Sequence, residues 1–305
     1  MKLLKYFLWI TLMLSTVYLF AEDTPEATPP NITPSTLFLT ETSHILAPFT
    51  IGLEGGFFDV VRRDMFNAHV KIGLGSVAEF SYGTHLLYSN ILGGTDNLPS
   101  AAIKMKIPIP KALQGRFLKS AALMLMNTQR WNSVLANRDF IAASPDFVNA
   151  GVRDVSFELR MTALSLLLTH ENQQHSSFHF GVNYIESESR NTTVEYIDYT
   201  KNENSIRNIH RTFGGYLGYT QPYNESTWFL FEISLLPDFH FDPQTEQIEM
   251  NHVGVYFTGI RFRLTEPITL DSGIQYDSND SGLRDLKIAF NLNFLINLMN
   301  MPQPN

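Results

Sequence analysis

Cysteine is absent from the 305 residues. That excludes disulfides, Cys-based zinc sites and an anchor through a lipid-modified cysteine. Charge is sparse as well: 17% of residues are charged and the net charge is -8, so there is no basic surface of the kind nucleic acid requires. No Gly-Lys-Ser/Thr loop is present to cradle phosphate, and Gly214-Gly215 falls inside a strand pattern, where it serves close packing or curvature. Past the first 21 residues, no stretch approaches the roughly 18 consecutive apolar residues of a transmembrane helix. Without such helices, a chain crosses lipid only as a closed barrel, because lipid leaves no backbone group unpaired.

What is present is alternation. From Leu286 to Leu298 every even position is apolar (Leu286, Ile288, Phe290, Leu292, Phe294, Ile296, Leu298), while Lys287, Asn291, Asn293 and Asn297 stand among the odd ones. Alternate side chains of a strand face opposite ways, so this is a ribbon with one apolar and one polar face. At about 13 residues it reaches the roughly 9–11 that a tilted strand needs to cross a bilayer.

The same pattern recurs, and the spacing predicts about twelve strands between Phe49 and Leu298. Val70, Ile72 and Leu74 oppose His69, Lys71 and Gly73, and Gly75-Ser76 turns the chain back through Phe80 and Tyr82 opposite Glu79 and Ser81. Val155, Phe157, Leu159 and Met161 oppose Ser156, Glu158, Arg160 and Thr162, and Leu166-Leu167-Leu168 then suggests a bulge. Ala121 to Met126 is apolar on both faces, so a strand there competes with a buried helix. Short links alternate with long ones, such as 130–153 and 187–208, as in barrels with tight turns at one end and long loops at the other. Tyr82, Tyr88, Tyr184, Tyr219, Tyr256 and Tyr276 sit toward strand ends, where aromatics form interfacial girdles.

Residues 1–21 carry Lys2 and Lys5, an apolar run and Ala21 before Glu22, the pattern of a cleaved export signal. Residues 22–47 begin rich in Thr and Pro and are expected to be a mobile periplasmic linker. The barrel then covers 48–299, and 300–305 form a tail. Together the leader, the strands and the closing segment resemble the bacterial outer-membrane β-barrel class, over about 85% of the chain. The hairpin Val70-Lys71-Ile72-Gly73-Leu74-Gly75 to Glu79-Phe80-Ser81-Tyr82-Gly83 and the pair from Ile274 to Leu298 carry the likeness. It implies an all-β, closed antiparallel transmembrane barrel located in the outer membrane, with outer-membrane lipid, the assembly machinery and small solutes as partners. Members commonly end on an aromatic residue, whereas this chain runs past Phe294 to a Met- and Pro-containing tail.

If the apolar face meets lipid, the polar face lines a lumen. Its charged candidates are Lys71, Glu79, Lys104, Lys106, Glu158, Arg160, Glu232, Arg261, Arg263, Asp271 and Lys287. Arg261 and Asp271 are direct neighbours across the short turn at Glu266, with Lys287 one strand further, and Lys71 can pair with Glu79 across its hairpin. Buried charges left unpaired are costly, so internal pairing is the first expectation, and a basic constriction favouring anions is the second. Ser81 with His85, and His179 with Asn183, share faces, but polar residues recur on every strand. No catalytic set, metal site or cofactor is assigned. Passage of small solutes through a narrow lumen is the leading expectation. A plugged structural or envelope-assembly barrel and a membrane-embedded hydrolase are the alternatives.

Overall fold

The structure is a computed structural model and describes residues 35–59, 64–84, 99–110, 113, 118–128, 132–135, 145–173, 175–203, 207–242, 245, 247–278 and 286–298. The expected leader, residues 22–34 of the expected linker, the tail 300–305 and His85 lie outside them.

The strands are β1 (Thr50–Asp59), β2 (Asp64–Leu74), β3 (Ala78–Thr84), β4 (Pro99–Lys106), β5 (Ser120–Asn127), β6 (Asn132–Leu135) and β7 (Val152–Glu171). They continue with β8 (Ser177–Tyr196), β9 (Thr200–Glu203), β10 (Asn208–Asn224), β11 (Thr227–Asp242), β12 (Gln247–Thr265), β13 (Ile268–Asp277) and β14 (Lys287–Asn297). One short helix, α1 (Pro145–Asn149), precedes β7. All pairings are antiparallel; β1 joins β14, β7 joins β8, and the sheet closes on itself. β6 lies along Ser156–Leu159 of β7, above the stretch that β5 occupies, and β9 extends the row of β10 along β8 in the same way. The barrel therefore has twelve staves, two of them lengthened by these short strands. Closure gives each of the twelve staves a hydrogen-bonded neighbour on both sides, which is the condition for a sheet to stand in lipid.

Outward side chains make an apolar belt: Leu53, Val70, Ile72, Phe80, Leu125, Leu164, Leu166, Phe180, Val182, Leu217, Phe229, Leu235, Ile274 and Ile288 are all exposed. So large an apolar surface has no place in water. Ala121 to Met126 is strand, not helix, because Ala122, Met124 and Met126 are buried within the barrel while Leu125 faces outward.

Along β7 the meaning of the alternation reverses. Val155, Phe157, Leu159, Met161, Ala163, Leu167 and Thr169 share one parity and are all buried, so the inner face runs unbroken past Leu166-Leu167-Leu168. The register shifts fall instead between Val152 and Glu158. Glu158 and Arg160, expected in the lumen, are on the outer face: Arg160 is exposed, and Glu158 pairs with the half-exposed Arg190 at 2.8 Å. The belt ends at the cross-strand row Leu164, Tyr184, Phe213. Above it the outward row is charged, with Arg211 on Glu186 at 2.8 Å. Beyond the belt the wall stands in water, so its polar side turns out and its apolar side turns in. There Phe157, Phe239, Phe241 and Phe147 of α1 join one buried cluster.

Candidate functional site

Inside the barrel lies the chain's own N-terminal segment. Residues 35–47 belong to the stretch expected to be a mobile linker, and the structure corrects that expectation: Ser35 to Ser43 are all buried. The segment turns tightly, with Leu37 N–H donating to Thr40 O at 2.8 Å and Thr42 N–H to Ser35 O at 2.9 Å around the bridge Thr36–Glu41. The Thr/Pro composition of 22–36 conceals a change of character at Leu37-Phe38-Leu39. Three consecutive apolar residues have no role in a solvated linker, and that trio followed by Glu41 is the signal of an inserted hairpin.

The hairpin is bonded to the wall at several of its polar groups. Glu232 of β11 accepts from Phe38 N–H at 2.6 Å, from Leu39 N–H at 3.0 Å and from the Thr40 hydroxyl at 2.8 Å. Arg261 of β12 donates to Thr36 O at 3.2 Å while holding both oxygens of Asp271 at 2.6 and 2.7 Å. Glu41 lies between Lys71 at 2.9 Å and Lys104 at 2.8 Å, and its carbonyl accepts from the Tyr216 hydroxyl. Ser43 is within 2.6 Å of both Ser120 Oγ and Thr169 Oγ1, and Thr169 in turn meets His179 Nδ1 at 3.0 Å. The apolar trio is seated as well: Phe38 stacks on Phe257 with ring centroids 4.0 Å apart, and a side chain at Gly218 would collide with Leu37.

The wall pairs within itself as well. Lys71 reaches Glu54 at 3.2 Å and Lys104 reaches Glu79 at 3.2 Å. Lys71 and Glu79 do not pair across their hairpin, because the register sets Lys71 against Ser81 and Glu79 against Lys104 on the following strand. Lys287 meets Asp277 rather than Asp271, which Asn293 holds at 3.2 Å. Lys106 is exposed at the end of β4, and Arg263 stands at the short-turn end, 5.8 Å from the centre of the Trp228 ring.

At that end a cavity of about 440 Å³ opens between the wall and the hairpin, which supplies Thr36, Leu37, Thr42 and His44 to its lining. Burial, followed by the charge of Lys104, holds His44 at about 4, well below the usual imidazole range, so the ring is neutral at pH 7. Among the described residues, no group of three or more His, Cys, Asp or Glu is arranged to hold a metal ion.

No family model matches the chain, and no curated protein sequence does. Among solved structures, it is similar to the translocator domain of the autotransporter NalP from Neisseria meningitidis. The identity is 8%, over 80% of this chain and 86% of that one, with a TM-score of 0.44. It is also similar to the CymD monoaromatic hydrocarbon channel (10% identity, 84% and 90% covered, TM-score 0.39) and to the KdgM porin solved with disordered oligogalacturonate (4%, 80% and 98%, TM-score 0.37).

Proposed function

We propose that the chain is a bacterial outer-membrane barrel whose lumen passes small solutes and is held shut at rest by its own N-terminal hairpin. Lipid is the partner of the apolar belt, and the assembly machinery of that membrane is the partner that closes the sheet. The observation that carries the reading is the hairpin itself. It fills the middle of the lumen, yet the wall beneath it does not depend on it for charge balance: with the hairpin gone, Lys71 keeps Glu54, Lys104 keeps Glu79 and Arg261 keeps Asp271. A stopper over a self-paired wall can leave without stranding buried cations.

The absence of native cysteine makes the test clean. In S43C/S120C the two thiols replace hydroxyls 2.6 Å apart, so oxidation ties the hairpin to β5. Planar-bilayer recordings are expected to be silent when the disulfide is formed and to show openings when it is reduced. Equal conductance in both states would refute a hairpin gate.

A further inference from the structure

We propose that the cavity at the short-turn end is a binding site for a small organic acid, its carboxylate held at the inner end and its apolar body lying toward Trp228. The site rests on the seated hairpin, which forms part of its lining. Its volume of about 440 Å³ lies in the range of roughly 300–1,000 Å³ typical of small-molecule sites.

The inner end offers donors. Arg261 is 3% exposed and has five N–H groups. Its bonds to Asp271 and Thr36 O engage Nε, both protons of Nη2 and one of Nη1, leaving one Nη1 proton for the cavity. His179, also 3% exposed, has its Nδ1 on Thr169. The proposed site uses the tautomer in which the Thr169 hydroxyl, which accepts from Ser43, donates to Nδ1 and the ring carries its proton on Nε2. The two carboxylates of the lining do not compete at that depth. Glu171 is held by Lys119 and His175 at 3.2 Å each, and Glu266 stands exposed on the turn between β12 and β13.

The rest of the lining suits an apolar body. Leu37, Leu230 and Leu295 form its sides and Trp228 the outer wall, and Arg263 beside that ring places a further positive charge at the mouth. Inorganic phosphate needs more donors than the inner end supplies and gains nothing from these walls. A neutral molecule of the same shape leaves the Arg261 and His179 protons without a charged acceptor.

Isothermal titration of the folded, detergent-solubilised full chain with benzoate tests the site, with benzyl alcohol and inorganic phosphate as comparators. Saturable one-to-one binding of benzoate is expected, with both comparators weaker by about ten-fold or more. His179→Phe should weaken benzoate by a similar factor, about ten-fold. Leu295→Trp, which fills the cavity, should abolish binding, and a heat-modifiability gel confirms that each variant is a folded barrel. The proposal is overturned by the absence of saturable benzoate binding, by equal binding of either comparator, or by binding that survives Leu295→Trp. The gate is read separately by conductance, so a hairpin that gates an empty cavity and a cavity that binds behind a permanent stopper give different results.

Discussion

Deleting residues 22–47, with 1–21 retained, is expected to turn a barrel that opens only transiently into one that conducts continuously. The hairpin covers a polar wall formed by β13, β14 and β1 to β4, on which Glu54, Lys71, Ser81, Lys104, Asp271, Asn291 and Asn293 are all buried. Its removal exposes that wall to water along the lumen. The charges at the level of the hairpin are then the cations Lys71, Lys104 and Arg261 and the carboxylates Glu54, Glu79, Glu232 and Asp271. Carboxylates are in excess: Glu54 and Glu79 lose one donor each with the hairpin and keep Lys71 and Lys104, whereas Glu232 loses the donors at Phe38, Leu39 and Thr40. The open state should therefore prefer cations, the reverse of the basic constriction that the sequence suggests. Reversal potentials in a salt gradient measure this, and a deletion variant that is folded on heat-modifiability gels yet silent would count against the gate.

The second large effect is expected at Glu232. Its side chain is fully buried and accepts from three groups of the hairpin. In Glu232→Ala the donors at Phe38, Leu39 and Thr40 lose their acceptor, at roughly 1–3 kcal/mol each. A loss of about 3 kcal/mol in the seating of the hairpin corresponds to more than about a hundred-fold in its occupancy. Glu41→Ala should be milder, because Lys71 and Lys104 each retain a carboxylate on the wall. Hydrogen exchange at the Phe38 and Leu39 amides reads the difference. Rapid exchange is expected in Glu232→Ala, and partial protection in Glu232→Gln, which keeps an acceptor oxygen. Full protection in Glu232→Ala would show that the apolar trio alone holds the hairpin.

The outer surface was legible in the sequence because lipid imposes one rule on every stave it touches. Val70, Ile72, Phe80, Phe180, Val182 and Ile288 follow that rule with a period of two, and all are exposed on the belt. Arg261 with Asp271 was legible too, since a short turn fixes its own register. The upper half of β7 was not. Val155 to Met161 show the same alternation as a lipid-facing stave, but periodicity gives the two faces without saying which solvent lies outside. Only the height of the strand relative to its neighbours decides that. The hairpin was hidden for a different reason. Its bonds run to residues from 18 to 225 positions away, from Thr36 on Glu54 to Thr36 on Arg261, and no local pattern carries contacts of that range.

The seat of the hairpin is shared among Glu54 of β1, Lys71 of β2, Lys104 of β4, Ser120 of β5, Glu232 of β11 and Arg261 of β12. These groups surround one space only once β14 has paired with β1 from Thr50 to Phe57. The hairpin precedes every strand in the chain, yet it can be housed only after the last strand has joined the first. Assembly thus ends with its opening residues, and a seated hairpin certifies that the seam is complete. A barrel stalled with its seam open would carry those residues outside, where a protease could reach them.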